Sequence, residues 1–487
     1  MNSNNLKASQ ATLAFLLSKA FKELLSPKIL VIEHSFGDGL FCHEANWELV
    51  EEQEIKKIEN RMRKYIASDH QLRFTTVPRD KVIEDLYKLN FQSKLAIAKR
   101  WSSDNIPVAQ MDDYWDYRTE SMERDKSKLT DFELRKYNAG FLLRLPTMLE
   151  PGKIGPFIDH PKLFSVMEEH EQWGKILGVS TIRELNLAVD TGEIKDLIWV
   201  AEGLHEKKIS KIADSLVEDF PQKRLICVSG PSSSGKTTFG KRLRIQLRVN
   251  GFRTLLISMD DYFIDRKMLP LDENGQKDFE SIEGLDLDLL SLRLDKLLGG
   301  KEIPVRNFSF NSGTGNDSDE IMQLGDWDFV LIEGIHGLNP VLSNRIGQDR
   351  MNKIYVSAIT QLNIDANHRI STSEDRLIRR IVRDHKFRGY TPEQTLKRWS
   401  SVRLGEEKNI FPYQEEAAFM FNSSLVYELP VLATYLVPLL AGIKIEKLEV
   451  EVDHLVTYLS FFKMLDEELV PGISILREFI GKSEFSF

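Results

Sequence analysis

Cysteine is nearly absent: the 487 residues contain two, Cys42 and Cys227. Two thiols so far apart exclude a disulfide framework and a cysteine-based structural zinc site. They point to a reducing interior, so the expected location is cytoplasmic. Long apolar runs are missing too. None approaches the roughly 20 residues of a membrane span, so no membrane partner is expected. The first ten residues are polar and lack the apolar core of a signal sequence. There is no excess of positive charge: 65 Lys and Arg against 74 Asp and Glu leave a formal net charge of −9. That balance argues against a broadly basic surface and a nucleic-acid partner. We find no internal repeat and no low-complexity segment. What remains is an ordinary globular composition, in a chain long enough for about two to four domains.

One segment stands out. Leu225-Ile226-Cys227-Val228-Ser229 is a short apolar run, and Gly230-Pro231-Ser232-Ser233-Ser234-Gly235-Lys236-Thr237-Thr238 follows it. Residues 239–249 then carry helical periodicity. This is G-x-x-x-x-G-K-[ST] in its strand–loop–helix setting. Gly230 and Gly235 let the backbone turn and approach an anion without a Cβ. The loop N–H groups and the helix N-terminus then point at a phosphate. Lys236 reaches the β- and γ-phosphates, and the Thr237 hydroxyl is placed for Mg²⁺. The segment predicts a nucleoside-triphosphate site.

The chain before it reads as a small α+β domain over 1–100. Helices are expected over 12–25, 51–68 and 79–89, and strands over 28–33, 39–43 and 72–77. Ile55, Ile58, Met62 and Ile66 fall at the spacing of one buried stripe. Residues 101–222 read as a connecting region, mixed at first with a strand over 140–145, then helical over 163–219. From 223 to 425, β and α alternate, the signature of a parallel sheet covered by helices. Its expected strands are 225–229, 254–259, 329–333 and 353–357. Residues 426–487 read as a helical, apolar segment.

Three further places bear on chemistry. Asp260 and Asp261 close the strand after the loop helix, and carboxylates at a strand's C-terminal edge face the ligand crevice of such sheets. Glu333 ends the apolar run 329–332, the position of a metal-binding acid. Arg376, Arg379, Arg380, Arg383 and Arg388 crowd within thirteen residues, the first four on much of one helical face. That suits a mobile cationic lid over a transferring phosphoryl group. Each has a plainer reading. The aspartates suit a solvated turn or cap, and Glu333 an ordinary strand-end acid. The arginines suit a solvated face paired with Glu374, Asp375 and Asp384.

In order along the chain stand Gly230 to Thr238, Ser258-Met259-Asp260, the segment 278–286, Ile303-Pro304-Val305, Val330-Leu331-Ile332-Glu333-Gly334-Ile335, and the segment 376–389. Through these elements residues 223 to about 425 resemble the uridine kinase and phosphoribulokinase family. The resemblance implies an α/β P-loop kinase domain with a parallel sheet, preceded by a small α+β domain and followed by C-terminal helices. It implies that Asp260 is the general base and that Thr237 and Glu333 hold Mg²⁺. Glu280 stands where uridine kinases carry an aspartate that binds the ribose hydroxyls, and Phe263 at an aromatic position near the sugar. Arg380, Arg383 and Arg388 match lid arginines that contact phosphates. There are departures. Where uridine kinases usually carry Tyr, Phe and a uracil-reading His, this chain has Arg306, Phe308 and Asn311. Tyr390 replaces a further lid arginine.

Residues 8–100, 359–372 and 474–481 also resemble a bacterial branch of nucleoside kinases that carries a threonyl-tRNA-synthetase editing-like domain. Such editing domains use His-x-x-x-His with a later Cys and His for metal. Here Ala11 and Phe15 occupy the two histidine positions, so that metal site and editing activity are expected to be lost. His34, Cys42 and His43 remain nearby as residues of ligand type, with partly buried histidines beside a turn as the plainer reading.

The expected function is ATP- and Mg²⁺-dependent phosphorylation of a small molecule, a uridine- or cytidine-like nucleoside at its 5′-hydroxyl. Two alternatives stand: a kinase for a non-nucleoside sugar, and a nucleotide-gated RNA- or protein-binding protein. A homo-oligomer is compatible with each of these readings.

Overall fold

The computed structural model describes residues 3–486 except 151, 272–274, 276, 310–311, 361 and 444–445. The chain divides into two compact units, each built from separated stretches.

The first unit takes in 1–198, 360–378 and 425–469. Among the described residues it holds seven strands: β1 (Leu30–Phe36), β2 (Gly39–Glu44), β3 (Arg73–Pro78), β4 (Asn105–Met111), β5 (Tyr114–Tyr117), β6 (Glu133–Tyr137) and β7 (Gly140–Arg144). They form two antiparallel sheets, ordered β1-β2-β7-β6 and β3-β4-β5. Residues 105–144, read above as connecting chain, thus supply four of these strands. The helices Ser3–Leu25 and Glu52–Ala67 bury Leu13, Leu16, Leu17, Phe21, Ile55, Ile58 and Met62 in one core. Of the expected stripe, Ile66 is only partly buried and Tyr65 packs inward instead.

Phe15 is a core residue whose ring lies 5.1 Å from Tyr114. Glu33 stands between His34 (3.4 Å) and His43 (3.5 Å), while the Cys42 thiol is buried and points to the Leu40 carbonyl. Burial raises the Cys42 pKa and lowers that of His34. Among the described residues no three His, Cys, Asp or Glu side chains converge as a metal site. No helix among them is long and apolar enough to cross a membrane.

The second unit takes in 199–359, 379–424 and 470–487. Its centre is a five-stranded, all-parallel sheet of β8 (Leu225–Ser229), β9 (Arg253–Ser258), β12 (Asp328–Glu333), β13 (Met351–Ser357) and β14 (Phe419–Asn422). The order is β14-β13-β8-β12-β9. β8 is buried along its whole length, as is β12 up to its last residue, which explains their unbroken apolar runs. Cys227 sits in this core, where burial pushes its thiol up to about 12. A separate antiparallel hairpin, β10 (Ile303–Ser309) with β11 (Thr314–Met322), lies between β9 and β12 in sequence. The α/β class with a parallel-sheet P-loop domain is therefore the observed one, with helices toward both ends of the chain.

Candidate active site

β8 empties into the loop 230–235, and the loop helix Lys236–Val249 starts at once behind it. Gly230 is forced by contact: a Cβ there would lie 1.9 Å from the Val356 carbonyl oxygen. Gly235 caps the helix with φ near +82°, a left-handed conformation that glycine adopts at no steric cost. Arg242 ties this helix down, donating to Glu206 (2.7 and 3.1 Å) and Glu202 (3.0 Å) with its own side chain 2% exposed.

The sheet brings the acids to the loop. β12 lies between β8 and β9, with Glu333 in register with Val228 on one side and Ser258 on the other. Glu333 and Asp260 thus leave the C-terminal ends of adjacent parallel strands, beside the loop from β8, where open α/β sheets bind ligands. Thr237 Oγ1 donates to Glu333 (3.0 and 3.2 Å to its two oxygens). Lys236 Nζ is folded over its own loop, donating to the carbonyls of Gly230 (2.9 Å) and Pro231 (3.0 Å).

Asp260 and Asp261 are not equivalent. Asp260 opens to solvent in the crevice, with its N–H held by Ser258 Oγ at 3.3 Å. Asp261 is turned to the hairpin: its carboxylate accepts the Phe308 N–H (3.0 Å), and its carbonyl accepts Arg306 Nε (3.0 Å). Surrounding protein desolvates the Asp260 carboxyl and raises its pKa, opposed by Lys236, Arg388 and Arg383. Burial also raises Glu333 to about 7, against the pull of Lys236 and with Asp260 and Glu478 adding to the rise. Lys236 is lowered by burial, against the acids Glu333, Glu478 and Asp260.

The helix Thr372–Phe387, in the place of the expected lid, carries Arg376, Arg379, Arg380 and Arg383, and Arg388 follows its end. Arg380 donates to Ser232 Oγ (2.7 Å). Arg380, Arg383 and Arg388 all approach Asp384, at 3.3, 3.2 and 3.5 Å, and Asp384 is 3% exposed. Arg379 is fully buried and braces the loop, its Nη1 donating to the Ser233 carbonyl (3.3 Å) and to Ser423 Oγ (3.1 Å). Arg376 is also buried. The exposed-face reading thus fails for Arg376 and Arg379.

Phe263, Phe279 and Phe308 form an aromatic group, with Phe263 5.8 Å from Phe279 and 5.7 Å from Phe308. Glu280 packs on Gly405 of the helix Pro392–Asn409. Burial raises it to about 7, against Arg380 and with Glu406 and Asp260 adding to the rise. Arg306 is held by the Asp261 carbonyl and stands 3.6 Å from Asp317. Asn311 lies outside the described residues, and Tyr390 is exposed.

Two acids at the loop escaped the sequence reading. Glu406 Oε1 accepts the Ser232 N–H at 3.1 Å, and Glu478 Oε2 accepts the Thr238 N–H at 3.1 Å. The segment 474–481 belongs to the resemblance, but nothing local in the sequence points Glu478 at the loop.

Residues 225–426 match the model of the Phosphoribulokinase / Uridine kinase family. A uridine kinase of Staphylococcus aureus (strain JH9) is 30% identical over 179 residues, which is 37% of this chain and 76% of that protein. Among solved structures, a possible uridine kinase from Bacillus stearothermophilus aligns at 16% identity and TM-score 0.30, covering 44% of this chain and 98% of that one. A D-glycerate 3-kinase from Cryptococcus neoformans var. grubii aligns at 15% identity and TM-score 0.30, covering 41% and 87%.

Proposed function

The chain belongs to the phosphoribulokinase / uridine kinase family, and from that premise we propose that it transfers the γ-phosphoryl group of ATP to a small-molecule hydroxyl, with a nucleoside 5′-hydroxyl as acceptor. The observation that carries this reading is the convergence of Lys236, the Thr237–Glu333 pair and Asp260 at one edge of the parallel sheet.

On this reading Lys236 leaves the loop carbonyls and reaches the β- and γ-phosphates. Thr237 and Glu333, already within hydrogen-bond distance of each other, are the residues that would hold Mg²⁺, which when bound supplies positive charge against the phosphate oxygens. Asp260 orients the acceptor hydroxyl and takes its proton as the oxygen bonds to the γ-phosphorus. The bond from phosphorus to the bridging oxygen of ADP breaks. A carboxyl whose pKa is raised by desolvation is a better base than a surface aspartate. Arg380, Arg383 and Arg388 exchange Asp384 for the transferring phosphoryl oxygens. Phe263 and Phe308 supply an aromatic face and Glu280 an acceptor for sugar hydroxyls.

A second acceptor class, a non-nucleoside sugar, is favoured by Arg306. Its guanidinium is tied to the Asp261 carbonyl and Asp317, at the position where uridine kinases usually carry a tyrosine, which changes what can be hydrogen-bonded there.

The test is acceptor-dependent ADP release by the purified full chain with ATP and Mg²⁺, across nucleosides, sugars and sugar acids. The proposal expects turnover with a uridine- or cytidine-like nucleoside well above the rate with water. Turnover with sugars alone moves the assignment to the second class. Tight ATP binding with no acceptor-dependent turnover rejects the kinase and favours a nucleotide-gated binder.

A further inference from the structure

Residues 470–487 belong to the same compact unit as the phosphate loop. The segment is firmly built. Arg477 Nη2 donates to the Val470 carbonyl (2.6 Å), and the Glu484 N–H to the Gly472 carbonyl (3.0 Å). Ser474, Ile475, Leu476, Phe479 and Ile480 are each at most 1% exposed. The segment also grips the elements around the loop. The Phe479 ring lies 5.1 Å from the Arg379 guanidinium, which itself holds Ser233. Lys386 of the lid helix donates to the Ile480 carbonyl, and Lys241 of the loop helix to the Ser486 carbonyl. Ile475 lies against Gly235, where a Cβ would come within 2.5 Å of its Cγ2.

From this fixed backbone Glu478, which is itself partly exposed, reaches the loop helix. One carboxylate oxygen, Oε2, accepts both the Thr238 N–H (3.1 Å) and the Thr238 hydroxyl (2.9 Å). Thr238 lies in the first turn of that helix. Its N–H is one of the donors that the turn leaves without an intrahelical partner, at the end of the helix dipole that attracts anions. In a phosphate loop these are the groups that meet the phosphates of a nucleotide. In this chain a carboxylate stands at that point.

We propose that Glu478 is an internal competitor for the phosphate cradle: its carboxylate holds the Thr238 donors, and a bound nucleotide takes them only by turning that side chain away. The inference rests on the reading of 230–238 as a nucleotide site. The backbone of the segment stays in place during the exchange, because releasing it would expose the buried apolar residues around Glu478. The chain's apparent affinity for nucleotide is then its intrinsic affinity multiplied by the fraction of molecules in which Thr238 is free. A carboxylate that served only as a helix cap would have a different effect. Its loss would lower stability and leave phosphate affinity unchanged or weaker.

The test is calorimetric titration of ADP, and separately of inorganic pyrophosphate, into the full chain. Wild type, Glu478→Gln, Glu478→Ala and Lys236→Ala are compared, with ligand-free thermal denaturation to establish folding. The proposal expects both Glu478 variants to bind both probes about tenfold or more tighter than wild type. If Glu478→Ala does not fold, Glu478→Gln decides the matter, since it keeps an acceptor oxygen and drops the charge. Wild-type-like or weaker binding by the folded Glu478 variants, while wild type binds and Lys236→Ala binds less, overturns the competitor and leaves the nucleotide site standing. No binding of either probe by wild type and the Glu478 variants overturns both.

Discussion

The Asp261 carboxylate accepts the backbone N–H of Phe308 at 3.0 Å, and this bond separates two adjacent aspartates into different tasks. Asp261 fastens the β10–β11 hairpin, while Asp260 faces the crevice in the field of Lys236, Arg383 and Arg388. Asp260→Asn is expected to lower kcat by about 10²–10⁴-fold, the usual loss with a general base, at nearly unchanged ATP affinity. Asp261→Asn keeps an oxygen for Phe308 and is expected to change kcat by less than about tenfold. Steady-state kinetics of the two variants decide it. A large loss in Asp261→Asn with near-normal Asp260→Asn would move the base to the neighbour.

On the proposed reading, Lys236→Ala removes the cation that leaves the loop carbonyls for the transferring group. Lost transition-state contacts of this kind cost about 3–4 kcal/mol, so single-turnover rates are expected to fall by at least two orders of magnitude. The far-ultraviolet circular dichroism spectrum is expected to stay that of wild type. Activity within threefold of wild type would reject the loop assignment.

Glu280 gives a pH signature. Its pKa rises from the ordinary 4.5 to about 7, chiefly through burial. The folded chain therefore keeps a proton that the unfolded chain has released. The stability from this group is full below about pH 4.5 and is lost as the pH climbs to about 7. Glu280→Gln cannot ionise. Its melting temperature relative to wild type is expected to climb with pH across that window and to be flat outside it. A difference that stays constant from pH 4 to about 8 is the contrary result.

Arg242 anchors the loop helix through Glu202 and Glu206. Arg242→Met fills similar space without charge and leaves two acids facing each other, one of them 11% exposed. A loss of about 2–4 kcal/mol in chemical denaturation is expected, below the roughly 3–5 kcal/mol for breaking a fully buried ion pair by removing one partner, because Glu206 is partly exposed. Rescue by the further change Glu202→Gln would assign the loss to the stranded carboxylate rather than to packing.

How far the sequence reveals this molecule depends on how local each signal is. The loop, its strand and its helix are contiguous, and each residue type there answers a local steric or electrostatic demand, so they are read without the structure. Strands β8, β12 and β13 announce themselves because they are buried in the sheet, whereas β9, at its edge and only partly buried, is betrayed by the run Leu255-Leu256-Ile257. β14 does not, being four residues long. The β10–β11 hairpin escapes notice because β11 reads Thr-Gly-Asn-Asp-Ser-Asp-Glu-Ile-Met, a polar strand with no alternation to betray it. Glu406 and Glu478 are harder still. They lie 174 and 240 residues from the amides they hold, and an acid on a distant helix carries no mark of what it will touch. The passage of the chain from one compact unit to the other is marked in the sequence only near 425, where the apolar, helical segment begins, and nothing of that kind stands at 360, 379 or 470.

Asp384 has a further consequence. Three arginines are already gathered around one fixed carboxylate, so one of their three charges is balanced by a group tethered within the protein rather than by a dissolved ion. On the proposed reading, a phosphoryl group arriving there exchanges with that tethered counterion and sheds fewer mobile ones to the solvent than three uncompensated arginines would. Binding that neutralises free cations weakens steeply with added salt, because released ions drive it. Here the slope of log affinity against log salt is expected to steepen in Asp384→Asn, where a mobile anion takes over the share that Asp384 balances.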